Sequence, residues 1–293
     1  MPRLAVLFLL IAAWSAPVGA EPITIVDAAG RTVTLPDAPR RIVPIFSSNA
    51  ELVAALGLAD RIVGVEAFTR YPPELAARPK VGGRLGFSVD AVVDLAPDLV
   101  IVTPARQAMH QLVSPMERLG VPVMVLLARD VDEVLVNLRL VGQATGEAAR
   151  GEAVAAALEA RLATVSRARA GRYAPRVALI TGAVGAGLVL LARADTYTGD
   201  ALRRAGARLA IETKAPVPQA SVEAIAAADP DVLLFAGRRE DLDALLGRPG
   251  WNLLRAVREG RAHVVSRAEF LIPGPRTVDG VEKLAALLDG ASR

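Results

Sequence analysis

Cysteine and histidine, the side chains that most often bind transition metals, are scarce in this 293-residue chain. The sequence has no cysteine, and its two histidines, His110 and His263, lie far apart. A bare zinc or manganese site needs several histidine and carboxylate ligands that converge. The sequence therefore does not predict a site for a naked transition metal, and any metal that the protein handles is expected to arrive as a chelate.

A nucleophile with a partner base is also missing from the sequence. There is no G-x-S-x-G turn, and neither histidine has an evident partner, so the usual patterns of covalent catalysis are absent. The glycine-rich segment 182–187 lacks GxGxxG spacing and leads into a strand-like run, which disfavours a phosphate-binding loop. We expect neither catalysis nor a resident cofactor.

Two acidic residues occupy matching places in the two halves of the chain. Asp90 stands two residues after Ser88, and Glu223 stands two residues after Ser221; a Pro-Asp pair and an apolar run follow each at identical spacing. Each unit predicts a serine-capped helix, a turn and a buried strand. Interaction with the helix dipole is one explanation of the acids, and their repetition leaves a shared surface role open.

The N-terminus predicts export. Arg3 precedes an apolar run and then small residues that end at Ala20, the pattern of a secretory signal peptide over residues 1–20 with cleavage after Ala20. Without cysteine there is no thiol for a lipid anchor, so a free periplasmic protein is expected. The formal net charge of +3 is too small to indicate nucleic-acid binding.

The elements that must position these residues follow an α/β pattern. After a predicted hairpin of Ile23–Val26 and Thr32–Leu35, short β-branched runs alternate with Ala/Leu-rich segments, which indicates parallel sheets covered by helices. Residues 147–170 form the longest helix candidate, and strand-like runs resume after it. The sequence predicts an α/β fold of two Rossmann-like lobes, 21–145 and 172–293, joined by a single long linker helix at 146–171.

These features resemble the cobalamin, haem and ferric-siderophore class of periplasmic solute-binding proteins of ABC importers. The residues that carry the resemblance are Arg41-Ile42-Val43 with Ser47-Ser48-Asn49, Tyr71-Pro72-Pro73-Glu74 with Lys80-Val81-Gly82-Gly83, the two Ser-Val-acid units, and Pro273-Gly274-Pro275-Arg276. The resemblance implies a ligand cleft between the lobes, formed by loops after the strands. It also implies that Asp90 and Glu223 dock on arginines of the permease.

Within that cleft the resemblance implies a set of candidate ligand-binding residues. They are Ser47, Ser48, Asn49, Arg70, Tyr71, Arg106 and Arg276. The arginines suit an anionic chelate, and Tyr71, held on a loop by the prolines that follow it, would ligate the metal only if the ligand is haem.

The expected function is the periplasmic capture of a metal chelate for an ABC permease and ATPase complex, by a protein that we expect to be a monomer. A ferric siderophore, haem and cobalamin all remain open as the chelate. The alternatives are a protein of the same fold that binds a molybdate-like oxyanion, and a sensor without a transport role.

Overall fold

The computed structural model describes residues 21–83, 86–103, 113–185, 187–213 and 215–291. The predicted signal peptide and Arg106 lie outside these residues. The strands are β1 Ile23–Val26, β2 Thr32–Leu35, β3 Ile42–Pro44, β4 Val65–Glu66, β5 Lys80–Gly83, β6 Gly86–Phe87, β7 Leu99–Val102, β8 Val123–Val125, β9 Arg176–Ala183, β10 Val189–Leu191, β11 Arg208–Leu209, β12 Gln219–Ala220, β13 Val232–Ala236 and β14 Ala262–Val265. The helices are α1 Ser47–Ala55, α2 Val89–Val93, α3 Ser114–Arg118, α4 Val131–Ala144, α5 Ala148–Arg169, α6 Tyr197–Arg204, α7 Val222–Ala228, α8 Arg239–Leu246, α9 Arg255–Arg258, α10 Arg267–Phe270 and α11 Thr277–Ala291.

The first half builds three small sheets. Strands β1 and β2 form the predicted antiparallel hairpin. Strands β3, β7 and β8 form a parallel sheet in which Ile42 pairs with Leu99 and Val100 pairs with Val123. Every residue of these three strands is buried, as expected for strands covered on both faces. Strands β4, β5 and β6 form a third sheet beside them.

The second half builds one six-stranded sheet. Its order is β12-β10-β9-β13-β14, with β11 paired to β9. Strands β9, β13 and β14 run parallel, whereas β10 returns antiparallel to β9 after the glycine-rich segment. That segment therefore connects two strands and does not open a helix, as its spacing indicated. The mixed α/β class predicted from the sequence is confirmed.

A 22-residue helix, α5, stands between the two groups of strands. At 1.5 Å per residue it is about 33 Å long. It crosses α4 closely because both helices have glycine there: a Cβ on Gly142 would lie 2.9 Å from the Cα of Gly151. A glycine inside a helix costs up to about 1 kcal/mol relative to alanine, so this close crossing explains the glycine inside α5.

The apolar core is continuous past this helix. Leu158 and Leu162 of α5 belong to the same buried cluster as Leu99 of the first half and Val177 of the second. Arg161 of α5 also forms ion pairs with Asp279 and Glu282 on α11.

The division into 21–145, 146–171 and 172–293 stays a prediction. We refer to the strand groups before and after α5 as the N-terminal and C-terminal lobes. No helix among the described residues is long and apolar enough to cross a membrane.

Candidate functional site

A cleft of about 370 Å³ opens between the two lobes. One wall comes from the N-terminal lobe and the other from the loop after α10. The lining residues are Phe46, Ser47, Ser48, Glu66, Phe68 and Thr103 on the first wall and Leu271, Ile272 and Pro273 on the second. The cleft therefore combines an apolar lining with a few polar groups, which is the usual character of a small-molecule site.

The first wall is assembled where parallel strands end. Strand β3 ends at Pro44 and β7 ends at Val102, and Pro44 pairs with Ile101, so the following segments emerge at one edge of the sheet. Phe46 turns the chain from β3 into α1 with φ of 79°, a left-handed conformation that is costly for a bulky side chain. Its ring is held edge-to-face against Phe87, with centroids 5.4 Å apart.

Ser47 and Ser48, predicted as ligand contacts, both line the cleft, whereas Asn49 lies beneath its floor. The Asn49 side chain donates to the carbonyl of Ile45 at 2.6 Å and accepts from the Thr103 hydroxyl at 3.0 Å. Asn49 is only 1% exposed. Its position fixes Thr103 and the start of α1 and thereby shapes the cleft.

Glu66 is the only charged residue among the described residues that line the cleft, and it was not among the residues predicted from the sequence. Its Oε1 atom accepts hydrogen bonds from the backbone N–H of Ser47 at 2.9 Å and from the Ser47 hydroxyl at 2.8 Å. The carboxylate thus satisfies an amide at the first turn of α1, where negative charge is favourable. One pattern could have identified Glu66 from the sequence: it is a polar residue at the carboxyl end of the apolar run Ile62–Val65.

Tyr71 lies in a second cavity, of about 360 Å³, between the lobes and beside α5. The guanidinium of Arg276 sits over its ring, 4.0 Å from the centroid. Leu158 and Arg161 of α5 line the same cavity, together with Glu51 of α1. Two of the predicted ligand-binding residues, Tyr71 and Arg276, are therefore brought together, but apart from the described lining around Ser47.

Arg276 is also paired with a buried acid. Its Nε donates to Glu51 Oε2 at 3.0 Å, and a second nitrogen donates to Oε1. The Glu51 side chain is 2% exposed, and burial raises its pKa despite the opposing effect of Arg276. Gly274 lies close beside the pair, and a Cβ there would lie 2.8 Å from Glu51 Oε2, so a larger residue would displace this carboxylate. Sequence reasoning did not find Glu51.

Arg70, another predicted anion contact, folds back on its own loop. It donates to the carbonyl of Ala67 at 2.7 Å and to that of Thr69 at 3.3 Å. The side chain is exposed and is not among the described lining residues of either cavity. Arg106, predicted for the same role, lies outside the described residues.

The paired acids Asp90 and Glu223 are exposed at the first turns of α2 and α7. Each helix is capped as predicted: Ser88 Oγ accepts from the N–H of Ala91 at 3.1 Å, and Ser221 Oγ accepts from the N–H of Ala224 at 3.4 Å. A hydrogen bond from the Ser221 side chain lowers the pKa of Glu223. The two lobes thus present equivalent exposed carboxylates.

The described residues include no group of three or more histidine, aspartate and glutamate side chains placed to hold a metal ion. His263 lies on strand β14, where burial lowers its pKa. The structure thus indicates no direct metal centre within that part of the chain.

Comparison with known proteins agrees with this architecture. The model of the periplasmic binding protein family matches residues 42–265. An ABC transporter substrate-binding lipoprotein of Bacillus subtilis (strain 168) is 27% identical over 267 residues, which is 90% of this chain and 84% of that protein. A cobalamin-binding protein of Halobacterium salinarum is 29% identical over 90% of this chain and 73% of its own length. The structure of a periplasmic haem-binding protein from Pseudomonas aeruginosa is 32% identical, with a TM-score of 0.73, covering 85% of this chain and 92% of that one.

Proposed function

The chain belongs to the periplasmic binding protein family, and we propose that it captures a metal chelate in the cleft between its lobes and delivers it to an ABC importer. Members of this family and the similar proteins are substrate-binding transport proteins, and this chain is therefore not an enzyme. Such proteins work with a membrane permease and its ATPase. The chelates that we propose are a ferric siderophore, haem or cobalamin.

The observation that carries the proposal is the cleft itself. Its described lining unites the aromatic rings of Phe46 and Phe68 with the aliphatic segment 271–273 from the opposite lobe. Such walls suit the apolar part of a chelate, while the polar groups of Ser47 and Thr103 are placed to orient it. A bare oxyanion such as molybdate fits less well, because no arginine or lysine is among the described lining residues.

Capture is proposed to involve limited movement of the lobes. The core runs from one lobe past α5 into the other, and Arg276 reaches across to Glu51 and Tyr71. These contacts favour a nearly fixed lobe orientation over a wide hinge motion. The ligand is then proposed to enter a largely preformed cleft, which lowers the ordering cost of binding.

Delivery is proposed to use the exposed carboxylates of Asp90 and Glu223, one on each lobe. Complementary charges on the permease would set the orientation and the rate of docking. The protein is proposed to act in the periplasm, as a monomer, after cleavage at Ala20.

The direct test is equilibrium binding to the chain from Glu21 onward, with haemin, cyanocobalamin and a ferric trihydroxamate as probes. We expect saturable one-to-one binding of at least one probe at micromolar concentration or below, followed by visible absorbance or by the emission of Trp251. No saturable binding of any probe would contradict the metal-chelate proposal. A tyrosinate–iron absorbance band with haemin that Tyr71→Phe removes would assign Tyr71 as the axial ligand.

A further inference from the structure

We propose that Glu66 determines which class of chelate the cleft accepts: one that presents hydrogen-bond donors or positive charge, and not one that carries carboxylates. This inference rests on the proposed function and specifies its substrate class. It follows from the position of one carboxylate oxygen and from the charges around it.

The first observation is that the Glu66 side chain is held in place through only one of its two carboxylate oxygens. It is 8% exposed, and its Oε1 is held by the N–H and the hydroxyl of Ser47. Its Oε2 accepts no hydrogen bond from any described residue, and it is not among the polar atoms sealed away from solvent without a partner. Since Glu66 lines the cleft, a bound ligand can reach this oxygen.

The second observation is the lack of a compensating cation in the part of the cleft that the structure describes. Its other lining residues are apolar or are hydroxyl-bearing, as at Ser48 and Thr103. Arg70 is bonded to carbonyls of its own loop, and Arg276 is paired with Glu51. Among the described residues, no arginine or lysine therefore faces the negative charge of Glu66 in the cleft.

These two observations have opposite consequences for the two kinds of ligand. A ligand that brings an amide N–H, a hydroxyl or an ammonium group to Oε2 supplies the missing donor, and a hydrogen bond to a charged acceptor is a strong one. A ligand that brings its own carboxylate to the same place meets a like charge at short range. The apolar walls accept the body of either ligand, so the polar groups at the periphery of the chelate determine which one binds more tightly.

Three metal chelates with different peripheries test this inference. Cyanocobalamin is uncharged and carries carboxamide donors, ferrioxamine B carries an ammonium group, and haemin carries two propionates. For the wild-type protein we expect the better of the first two to bind at least about tenfold more tightly than haemin.

The variants separate ligand selection from a role in folding. Glu66→Gln keeps an oxygen that accepts from Ser47 but removes the charge, and it is expected to reduce that preference by about tenfold. Glu66→Asp keeps the charge and is expected to retain the order of the three affinities. Thermal unfolding of each variant establishes that it is folded at the titration temperature.

Two results would overturn the inference and leave the proposed function intact: haemin binding most tightly to the wild type, or an unchanged preference in Glu66→Gln. The second result would mean that Glu66 only caps α1. If no probe saturates the wild-type protein, the metal-chelate function itself is contradicted, and the inference is contradicted with it.

Discussion

The guanidinium of Arg276, which precedes α11 in the C-terminal lobe, lies 4.0 Å from the centre of the Tyr71 ring in the N-terminal lobe. The same side chain forms an ion pair with Glu51, which is almost fully buried in α1. One arginine thus joins two N-terminal segments that are 20 residues apart to the C-terminal lobe. We refer to Arg276, Tyr71 and Glu51 as the cross-lobe clasp.

Removing Arg276 is predicted to destabilise the protein strongly. Arg276→Ala leaves the Glu51 carboxylate buried without its partner, which costs on the order of 3 kcal/mol of unfolding free energy. Urea unfolding followed by circular dichroism measures the loss. Arg238→Ala is the matched control, since it removes an exposed arginine paired with Asp241 and is expected to leave the free energy of unfolding almost unchanged.

Equal losses in the two arginine variants would show that the clasp does not stabilise the fold. The double variant Glu51→Leu with Arg276→Met is expected to recover most of the lost stability, because no buried charge remains unpaired.

The raised pKa of Glu51 predicts a specific pH dependence of stability. Burial holds this pKa above its usual value of 4.5, so the folded state binds the proton more tightly than the unfolded state does. The resulting stabilisation is complete below 4.5 and is lost as the pH rises through the folded-state pKa. Relative to Glu51→Gln, the wild type should therefore lose unfolding free energy as the pH rises above about 4.5. A difference that stays constant, or that grows in favour of the wild type, would contradict this assignment.

Phe68 is predicted to contribute to ligand affinity but not to folding. Its side chain is 54% exposed at the cleft, so Phe68→Ala should leave the thermal midpoint almost unchanged. The loss of aromatic contact with a chelate is expected to weaken binding by about tenfold, or roughly 1.4 kcal/mol. Leu253→Ala, at an exposed apolar residue outside the cleft, is the control and should bind like the wild type. Identical affinities for all three proteins would exclude Phe68 from the site.

Asp90 and Glu223 are predicted to affect delivery alone. In vesicles that contain the importer, Asp90→Arg with Glu223→Arg should lower ligand-dependent ATP hydrolysis by about tenfold or more, because both docking charges are reversed. Affinity for the ligand should change by less than about twofold, since neither side chain lines the cleft. As a control, Glu240→Arg with Asp243→Arg reverses two exposed charges on helix α8 and is expected to leave hydrolysis unaffected. Normal stimulation by the double variant would refute the docking role.

Much of the fold could be predicted because local patterns determine it. The buried strands at Leu99–Val102 and Val232–Ala236 are continuous apolar runs. The caps at Ser88 and Ser221 are equally local, because each serine hydroxyl accepts from the backbone N–H three residues later. The long helix was evident from its helix-forming residues, and only the structure gives the reason for Gly151 inside it, because its partner Gly142 lies on another helix.

The site was harder to predict, because it depends on contacts between distant segments. The loop before α11 led to the prediction of Arg276 as a ligand contact, but its pairing with Glu51 spans 225 residues of sequence. Glu66 stood at the end of a predicted strand, yet its interaction with Ser47 is set by how two strand ends meet. Sequence patterns indicate which residues are polar, but they do not indicate which of these pair with one another.

Filling the cleft is the sharpest test of whether a metal chelate binds between the lobes. Ile272 lines the wall contributed by the C-terminal lobe and is partly exposed, so Ile272→Trp adds bulk inside the site. The probe is whichever of haemin, cyanocobalamin and ferrioxamine B binds the wild type most tightly. We predict that Ile272→Trp binds this probe at least about 100-fold more weakly, or by roughly 2.7 kcal/mol. Val136→Trp, on the exposed face of α4, should bind like the wild type. Equal affinity of all three proteins for that probe would contradict binding in the cleft between the lobes.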